Sequence, residues 1–131
     1  MPNVRYSLIV ALLLSSVFTA GYAQPYYIVG LGLNSCGQYL SAVHNHPPGK
    51  SQGLQYQGGA TYVDEATRYL DWLAGFVSAS NGWIARTDTG NGVKADYAAI
   101  DVWMRRWCEQ NPTKLVIEAA SEFVLKNQNW Q

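Results

Sequence analysis

Apolar side chains recur at spacings of three and four residues in four separate stretches of the chain. These stretches cover residues 35–43, 62–79, 96–110 and 112–126. Such spacing places the apolar residues on one face of an α-helix, where they can be buried together. The pattern therefore predicts an all-α fold, a small bundle of about four helices.

Polar and turn-forming residues mark the predicted helix ends. Ser35 and Asp96 are expected to be N-caps, because their side-chain oxygens can accept hydrogen bonds from free backbone N–H groups. Asn81-Gly82 is expected to end the second helix, and Asn111-Pro112 to end the third and begin the fourth.

Two segments between the predicted helices are rich in glycine, and the first also contains Pro47-Pro48. These segments, residues 44–60 and 82–95, are predicted to be loops without regular structure. Both are long for a compact domain, and loops of that kind are often functional. They are therefore candidate contact surfaces for a partner.

The chain begins with the three parts of a secretory signal peptide. Arg5 is the only charged side chain near the start, an apolar run follows, and Gly21 and Ala23 form a small-x-small exit. The apolar run is about half of the roughly 20 residues that a membrane-spanning helix needs. We therefore expect residues 1–23 to be cleaved and the product to be periplasmic or secreted, without stable membrane insertion.

The two cysteines, Cys36 and Cys108, fall within the part that remains after cleavage. An even count in a small exported chain predicts a disulfide, here between the first and third helices. A metal-bound thiolate pair, an intermolecular bridge and lipid attachment at Cys36 are the alternatives. Residues 24–34 are expected to be an extended or disordered lead-in to a single helical domain, 35–131.

The charge balance and the aromatic residues limit which functions can be expected of the chain. The chain has nine basic and nine acidic residues, and cleavage removes only Arg5. This balance gives no basic patch for phosphates, so nucleic acid is not an expected partner. Five tryptophans are many for this length, and most are expected to pack in or against the core. No cofactor is predicted.

Few residues suggest chemistry. His44 and His46, the only histidines, could face one metal ion from an extended segment, but further ligands would be needed. A small hydrolase would require two carboxylates across a cleft, and no spacing singles out a pair. The carboxylates available for such a pair are Asp64, Glu65, Asp71, Asp88, Asp96 and Asp101. We therefore expect a protein without catalytic activity.

Binding is the more natural expectation, because arginine and tryptophan are enriched at interface hot spots. Arg105 and Arg106 stand beside Trp103 and Trp107 but off the apolar stripe of the third helix. They are expected to point toward solvent or toward a partner. The other candidate contact residues are in the second loop: Trp83 and Asp88.

The order of several short motifs resembles two related groups of small periplasmic helical proteins. The motifs are Cys36-Gly37-Gln38-Tyr39-Leu40, Trp72-Leu73-Ala74-Gly75-Phe76, and Cys108-Glu109-Gln110-Asn111-Pro112. They are similar to motifs of the HdeA-type acid-stress chaperones and of the Rap/Tai-type immunity proteins of type VI secretion systems. In both groups a Cys-x-x-aromatic-Leu helix is tied to a Cys-x-x-Asn/His-Pro helix end. Between these lies a helix with an aromatic residue and a glycine, here Gly75, where a neighbouring helix can approach closely.

The resemblance implies a protein-binding function in the periplasm. An immunity protein would bind and block a secreted toxin, and this is the expectation that we favour. The alternative is a chaperone that opens in acid, where carboxylates lose charge and the remaining positive charges repel one another. A homodimer is compatible with either function.

Overall fold

A computed structural model describes residues 29–58, 60–87 and 90–128. The predicted signal peptide and Asp88 lie outside these residues. The elements in chain order are a short 3-10 helix (Gly30–Leu33), α1 (Cys36–Val43), β1 (Leu54–Gln57), β2 (Ala60–Val63), α2 (Glu65–Thr87), α3 (Tyr97–Gln110) and α4 (Val116–Asn127). The four helices pack around one core, so the predicted fold class is confirmed.

The start of α1 follows the sequence prediction. Ser35 accepts a hydrogen bond from the N–H of Gln38, and the Gln38 side chain accepts one from the N–H of Ser35, which completes a capping box. Backbone bonds also tie this end to the α3–α4 connection, because the N–H of Gly37 donates to Pro112 at 2.9 Å. A Cβ added at Gly37 would lie 3.4 Å from the Pro112 carbonyl oxygen, which is an ordinary van der Waals distance, so this contact does not itself require glycine.

Residues 29–34 differ from the expected extended or disordered lead-in. Four of them form the 3-10 helix, and Leu31 packs against the core. The Trp72 indole N–H donates to the carbonyl of Val29 at 3.2 Å. Contacts with α2 and α4 therefore order this segment, and such long-range contacts leave no local signal in the sequence.

The predicted end of α2 at Asn81-Gly82 is wrong, because the helix continues to Thr87. The Asn81 amide donates to the carbonyl of Val93 at 2.9 Å and accepts from the N–H of Val93 at 2.7 Å. Ile84, beyond the predicted end, is buried. Asn81 therefore holds the loop after α2 instead of capping the helix, and burial of Ile84 compensates for the poor helix propensity of Gly82.

The segment 44–60 is not wholly irregular, which corrects the prediction that this first loop has no regular structure. β1 and β2 form an antiparallel hairpin in which Leu54 pairs with Val63 and Gln57 with Ala60. Gly58 lies at the tip with φ +60, a backbone conformation that favours glycine. Gly58, one of the glycines that suggested an irregular loop, therefore lies in the turn between two strands.

The helices α3 and α4 are connected by a turn rather than by a shared Asn-Pro boundary. Asp96 caps α3 as predicted, and its side chain accepts from the N–H of Ala99 at 2.8 Å. However, α4 begins at Val116, later than the predicted Pro112. Glu118 accepts from the N–H of Leu115 at 2.8 Å and fixes that later start.

The core lies between the four helices and is crossed by the disulfide. Cys36 and Cys108 form the predicted bond, with both residues fully buried. It links α1 to α3 across 72 positions of sequence. In the chain-entropy model, such a loop closure stabilises the fold by about 4 kcal/mol.

Two packing expectations need correction. A side chain at Gly75 would meet no atom within 4 Å, so Gly75 is not a point of close helix approach. Trp83 is in α2 rather than in a loop, and it is 68% exposed. Trp72, Trp103 and Trp107 do pack against the core from partly buried positions.

Candidate functional site

The outward side of α4 is the centre of an exposed surface that reaches both neighbouring helices. We call this the α4 surface and define it by Trp83 on α2, Leu125 and Lys126 on α4, and Arg106 and Trp107 on α3. Three grooves meet this surface. Leu125 borders a groove between α4 and α2, and Lys126 and Trp107 border a groove between α4 and α3. Trp107 also borders a third groove, which runs along α4. The surface thus brings aromatic, aliphatic and cationic side chains together.

The groove between α2 and α4 is the most apolar part of this surface. It measures about 500 Å³ and is lined by Phe76, Ala79, Ser80, Trp83, Ile84, Val124, Leu125 and Gln128. Trp83 is 68% and Leu125 is 58% exposed. Large apolar side chains that stay exposed around a concave groove are typical of interaction sites.

The opposite flank combines stacked rings with positive charge. The rings of Trp103 and Trp107 are nearly parallel, with centroids 6.4 Å apart. Arg106 and Lys126 border the same groove. The flat rings provide contact area, and Arg106 is exposed and has no hydrogen-bond or ion-pair partner among the described residues.

Lys126 of the α4 surface and the other charged residues on or just before α4 form ion pairs with one another. Lys114 lies 3.1 Å from Glu118, and Lys126 lies 3.4 Å from Glu122, each pair one helical turn apart. The N–H of Leu115 and the ammonium of Lys114 hold the pKa of Glu118 below its usual value. Arg106 is therefore the cation of this surface that remains available for an acidic group on a partner.

Arg105 has a different environment, although it was expected to share the role of Arg106. Its guanidinium donates to both carboxylate oxygens of Asp101, at 2.9 and 3.0 Å, and to the carbonyl of His46 at 3.0 Å. Asp101 also accepts from the Tyr39 hydroxyl and from the N–H of Gly49. We call these residues the Asp101 network. Arg105 is half-buried and held by Asp101, so the expectation that it points toward solvent or a partner is wrong.

The Asp101 network is fully hydrogen-bonded in spite of its burial. Asp101 is 0% exposed, and such a carboxylate is tolerated only where donors surround it. Burial, together with the hydrogen bond to Asp101, raises the pKa of the Tyr39 phenol far above its usual value. The network attaches the segment around Gly49 to α3. A side chain at Gly49 (φ +69) would come within 2.5 Å of Ala98.

Asp64 holds the base of the hairpin. Its carboxylate accepts from the N–H groups of Gln52 and Thr67, both at 2.9 Å, and from the Thr67 hydroxyl. Nε2 of His46 lies 3.6 Å away. Burial would raise the pKa of Asp64, but these hydrogen bonds outweigh it and hold the pKa below its usual value.

The two histidines have separate partners. Residues 44–46 form a turn, in which Nδ1 of His44 lies 2.8 Å from the carbonyl of Ser41, while His46 faces Asp64. They are not alternate residues of an extended segment, so the expected geometry for a shared metal is wrong. Across the described residues no group of three His, Cys, Asp or Glu side chains could hold a metal ion.

The candidate catalytic carboxylates are engaged elsewhere. Asp96 caps α3, Asp71 accepts from the Tyr97 hydroxyl, and Asp64 and Asp101 have the roles described above. Glu65 is in the first turn of α2, where the helix dipole favours a negative charge. None of these carboxylates lines the three grooves beside α4 or the one at Leu40, Ser41 and His44.

Residues 49–53 also match the Gly-x-Ser-x-Gly spacing of a hydrolase nucleophile elbow. In hydrolases this motif lies where a strand turns into a helix. Here it precedes β1, and Ser51 is exposed. Within the described residues no histidine forms a hydrogen bond with the Ser51 hydroxyl. The motif therefore lacks the surroundings that would activate Ser51.

Of the four predicted contact residues, the structure brings Trp83 and Arg106 to the two flanks of one surface. Arg105 is half-buried and bonded to Asp101, and Asp88 is outside the described residues. Leu125 was missed, because its exposure depends on which side of α4 faces the core. The buried role of Asp101 was also missed, although its spacing of four residues from Arg105 is a local signal for an ion pair.

Comparison with known proteins adds no relative. No protein-family model, no curated protein and no solved structure matches the chain. None of the described helices combines the length and the apolar character that crossing a membrane requires.

Proposed function

We propose that the chain is an exported, non-catalytic binding domain whose partner is another protein, and that it acts as an immunity protein against a secreted toxin. The observation that supports this is the α4 surface, where Trp83 and Leu125 are exposed beside an apolar groove. Arg106 adds an unpaired charge on the far flank. Aromatic, aliphatic and arginine anchors of this kind dominate binding energy at protein interfaces.

A periplasmic or secreted location belongs to the same proposal. It rests on the signal-like residues 1–23 and on the buried Cys36–Cys108 disulfide, which suits an oxidising compartment. A buried bond of this kind supports a domain that must stay folded outside the cytoplasm.

Competition between bacterial strains tests this proposal. A strain that lacks the gene should be killed by its parent during contact, and the restored gene should protect it. A version without residues 1–23 should not protect, because the toxin would be met outside the cytoplasm. Equal survival of the deletion strain and its parent, with the parent's toxin secretion verified, would contradict the proposal.

Two matched variants connect protection to the α4 surface. Leu125→Asp places a charge in the centre of the surface, whereas Leu33→Asp places one at a leucine of similar exposure, 53%, in the 3-10 helix. We expect Leu125→Asp to remove protection and Leu33→Asp to retain it. The reverse result would exclude the α4 surface as the contact.

An acid-activated chaperone is the second candidate, and the position of Asp64 favours it. A carboxylate whose folded pKa is lowered contributes stability above its unfolded pKa of about 4, and that contribution is lost as the pH falls through the folded value. Below about pH 4, protonation of Asp64 would weaken its bonds to Gln52 and Thr67. The segment leading to the hairpin would then be released from α2.

An acid titration separates the two functions. The chaperone candidate requires that a dye for apolar surface and suppression of client aggregation rise together between about pH 4 and pH 2. Asp64→Asn should then show part of that exposure at neutral pH. A protein that stays closed and inactive throughout would exclude the chaperone candidate and leave the immunity proposal in place.

A further inference from the structure

The chain contains two Asn-Gly pairs, Asn81-Gly82 and Asn91-Gly92, and the structure gives them opposite environments. An asparagine before glycine is prone to lose its side-chain amide, because glycine has no side chain to keep the following backbone nitrogen away from the asparagine Cγ. The first pair lies within α2, and the second lies in the irregular segment between α2 and α3.

Hydrogen bonds protect the pair in α2. The Gly82 N–H is inside the helix, where it donates to a carbonyl one turn earlier. The Asn81 side chain is also engaged, because its Nδ2 donates to the Val93 carbonyl at 2.9 Å and its Oδ1 accepts from the Val93 N–H at 2.7 Å. Neither the backbone nitrogen nor the side-chain amide of this pair is therefore available for reaction.

The pair in the loop has no such protection. Asn91 is exposed, and residues 90–96 have no regular structure. Among the described residues, no hydrogen bond engages the Asn91 side chain or the Gly92 N–H. The two reacting atoms, the Gly92 nitrogen and the Asn91 Cγ, belong to adjacent residues, so the reaction needs only a base and water from outside.

We infer that Asn91 is a deamidation site, at which the protein is converted to an isoaspartate form as it ages. The Gly92 nitrogen loses its proton to a base and attacks the Asn91 Cγ. The side-chain nitrogen takes up a proton and leaves as ammonia, which closes a cyclic succinimide. Water then opens the ring at either carbonyl. One product is aspartate with the original backbone, and the other is isoaspartate, whose main chain runs through Cβ and Cγ.

The isoaspartate form should release the loop from α2. Its main chain is longer by one carbon just before Gly92, which is buried and has little space beside Asn81. A Cβ added at Gly92 would lie 2.8 Å from the Asn81 Oδ1. Val93, the next residue, is buried and is held by the two bonds from Asn81. We therefore expect the longer backbone to displace Gly92 and to break those bonds. This inference does not depend on the proposed function.

Incubation of the oxidised protein at neutral and mildly alkaline pH, followed by peptide mapping with mass spectrometry, tests the inference. Conversion at Asn91 should be at least about tenfold faster than at Asn81, because reaction at Asn81 requires local opening of α2. It should also rise with pH, because the attacking nitrogen must lose its proton. In the reduced and denatured chain, which is the control, both pairs should convert at similar rates. Equal rates in the folded protein would overturn the inference, and so would an Asn91 that converts only in the denatured chain.

The structural consequence has a separate measurement. Hydrogen exchange at the Val93 amide should be at least about tenfold faster in the isoaspartate form than in the fresh protein. Freshly purified Asn91→Asp carries the new charge on an unaltered backbone and should keep the protection of the wild type. Asn91→Gln should keep that protection throughout the incubation. Protection that is unchanged in the isoaspartate form, or lost equally in Asn91→Asp, would contradict the effect assigned to the longer backbone.

Discussion

Arg105 and Arg106 are neighbours in the sequence but belong to two opposite kinds of region. Arg105 is part of the Asp101 network, where charged groups are internal and hydrogen-bonded to one another. Arg106 lies on the α4 surface, where apolar side chains are exposed and this arginine has no partner in the described residues. The comparison shows that residue type alone does not identify a binding residue, since a rotation of about 100° on the helix changes its role.

The network should carry stability, and Asp101→Ala tests this with the largest expected effect. The change leaves the Arg105 guanidinium without its ion pair and the Tyr39 hydroxyl without its acceptor. Removing one partner of a buried ion pair lowers the free energy of unfolding by on the order of 3–5 kcal/mol. Urea unfolding of the oxidised protein measures this loss, and a loss under about 1 kcal/mol would show that the network is not a structural element.

Asn81→Ala is expected to have the next largest effect. The Asn81 amide satisfies both the N–H and the C=O of Val93, and Val93 is buried. Loss of both bonds should destabilise the protein by about 2 kcal/mol. The same unfolding measurement checks this. Ser80→Ala, one position earlier and bonded only to the Phe76 carbonyl of its own helix, is the matched control and should cost less.

Tyr39→Phe tests the network through its pH dependence. Because the folded pKa of Tyr39 is raised, its contribution to stability is present below the unfolded pKa of about 10 and is lost as the pH rises toward the folded value. In that alkaline range the wild type should lose up to about 1.4 kcal/mol per pH unit from this group. The variant should lack that component, and unfolding measurements between about pH 9 and pH 11 would show it. An identical slope in the two proteins would contradict the assignment.

Arg106→Ala should have the smallest effect on stability and a clear effect on function. The side chain is exposed and unpaired, so the free energy of unfolding should change by less than about 0.5 kcal/mol. Protection in the strain competition should nevertheless fall. Arg68→Ala, another exposed arginine, lies on α2 outside the α4 surface and serves as the control. Equal protection by both variants would remove Arg106 from the contact.

The sequence predicts the elements that depend on neighbouring residues. The caps at Ser35 and Asp96, the extent of α1 and α3, and the disulfide are confirmed. The caps and helix limits each have a signal within a few positions of sequence. The disulfide is predictable because two cysteines allow only one bond within the chain. Local capping chemistry and cysteine number are therefore sufficient for this part of the fold.

Elements that depend on distant residues are not predicted. The continuation of α2 past Gly82 depends on the bonds between Asn81 and Val93. The hairpin was not predicted because glycines suggested an irregular loop, and one of them, Gly58, in fact lies at its turn. Of the candidate site, Trp83 and Arg106 were found from residue type, whereas Leu125 required knowledge of how α4 packs. Tertiary contacts decide these cases, and they have no short-range sequence signature.

The α4 surface itself is tested most directly by placing a charge at its apolar end. A deletion strain carrying Trp83→Asp should be killed by its parent in contact, while the purified variant keeps the unfolding free energy of the wild type within about 0.5 kcal/mol. Full protection by Trp83→Asp would contradict the assignment of this surface to partner binding.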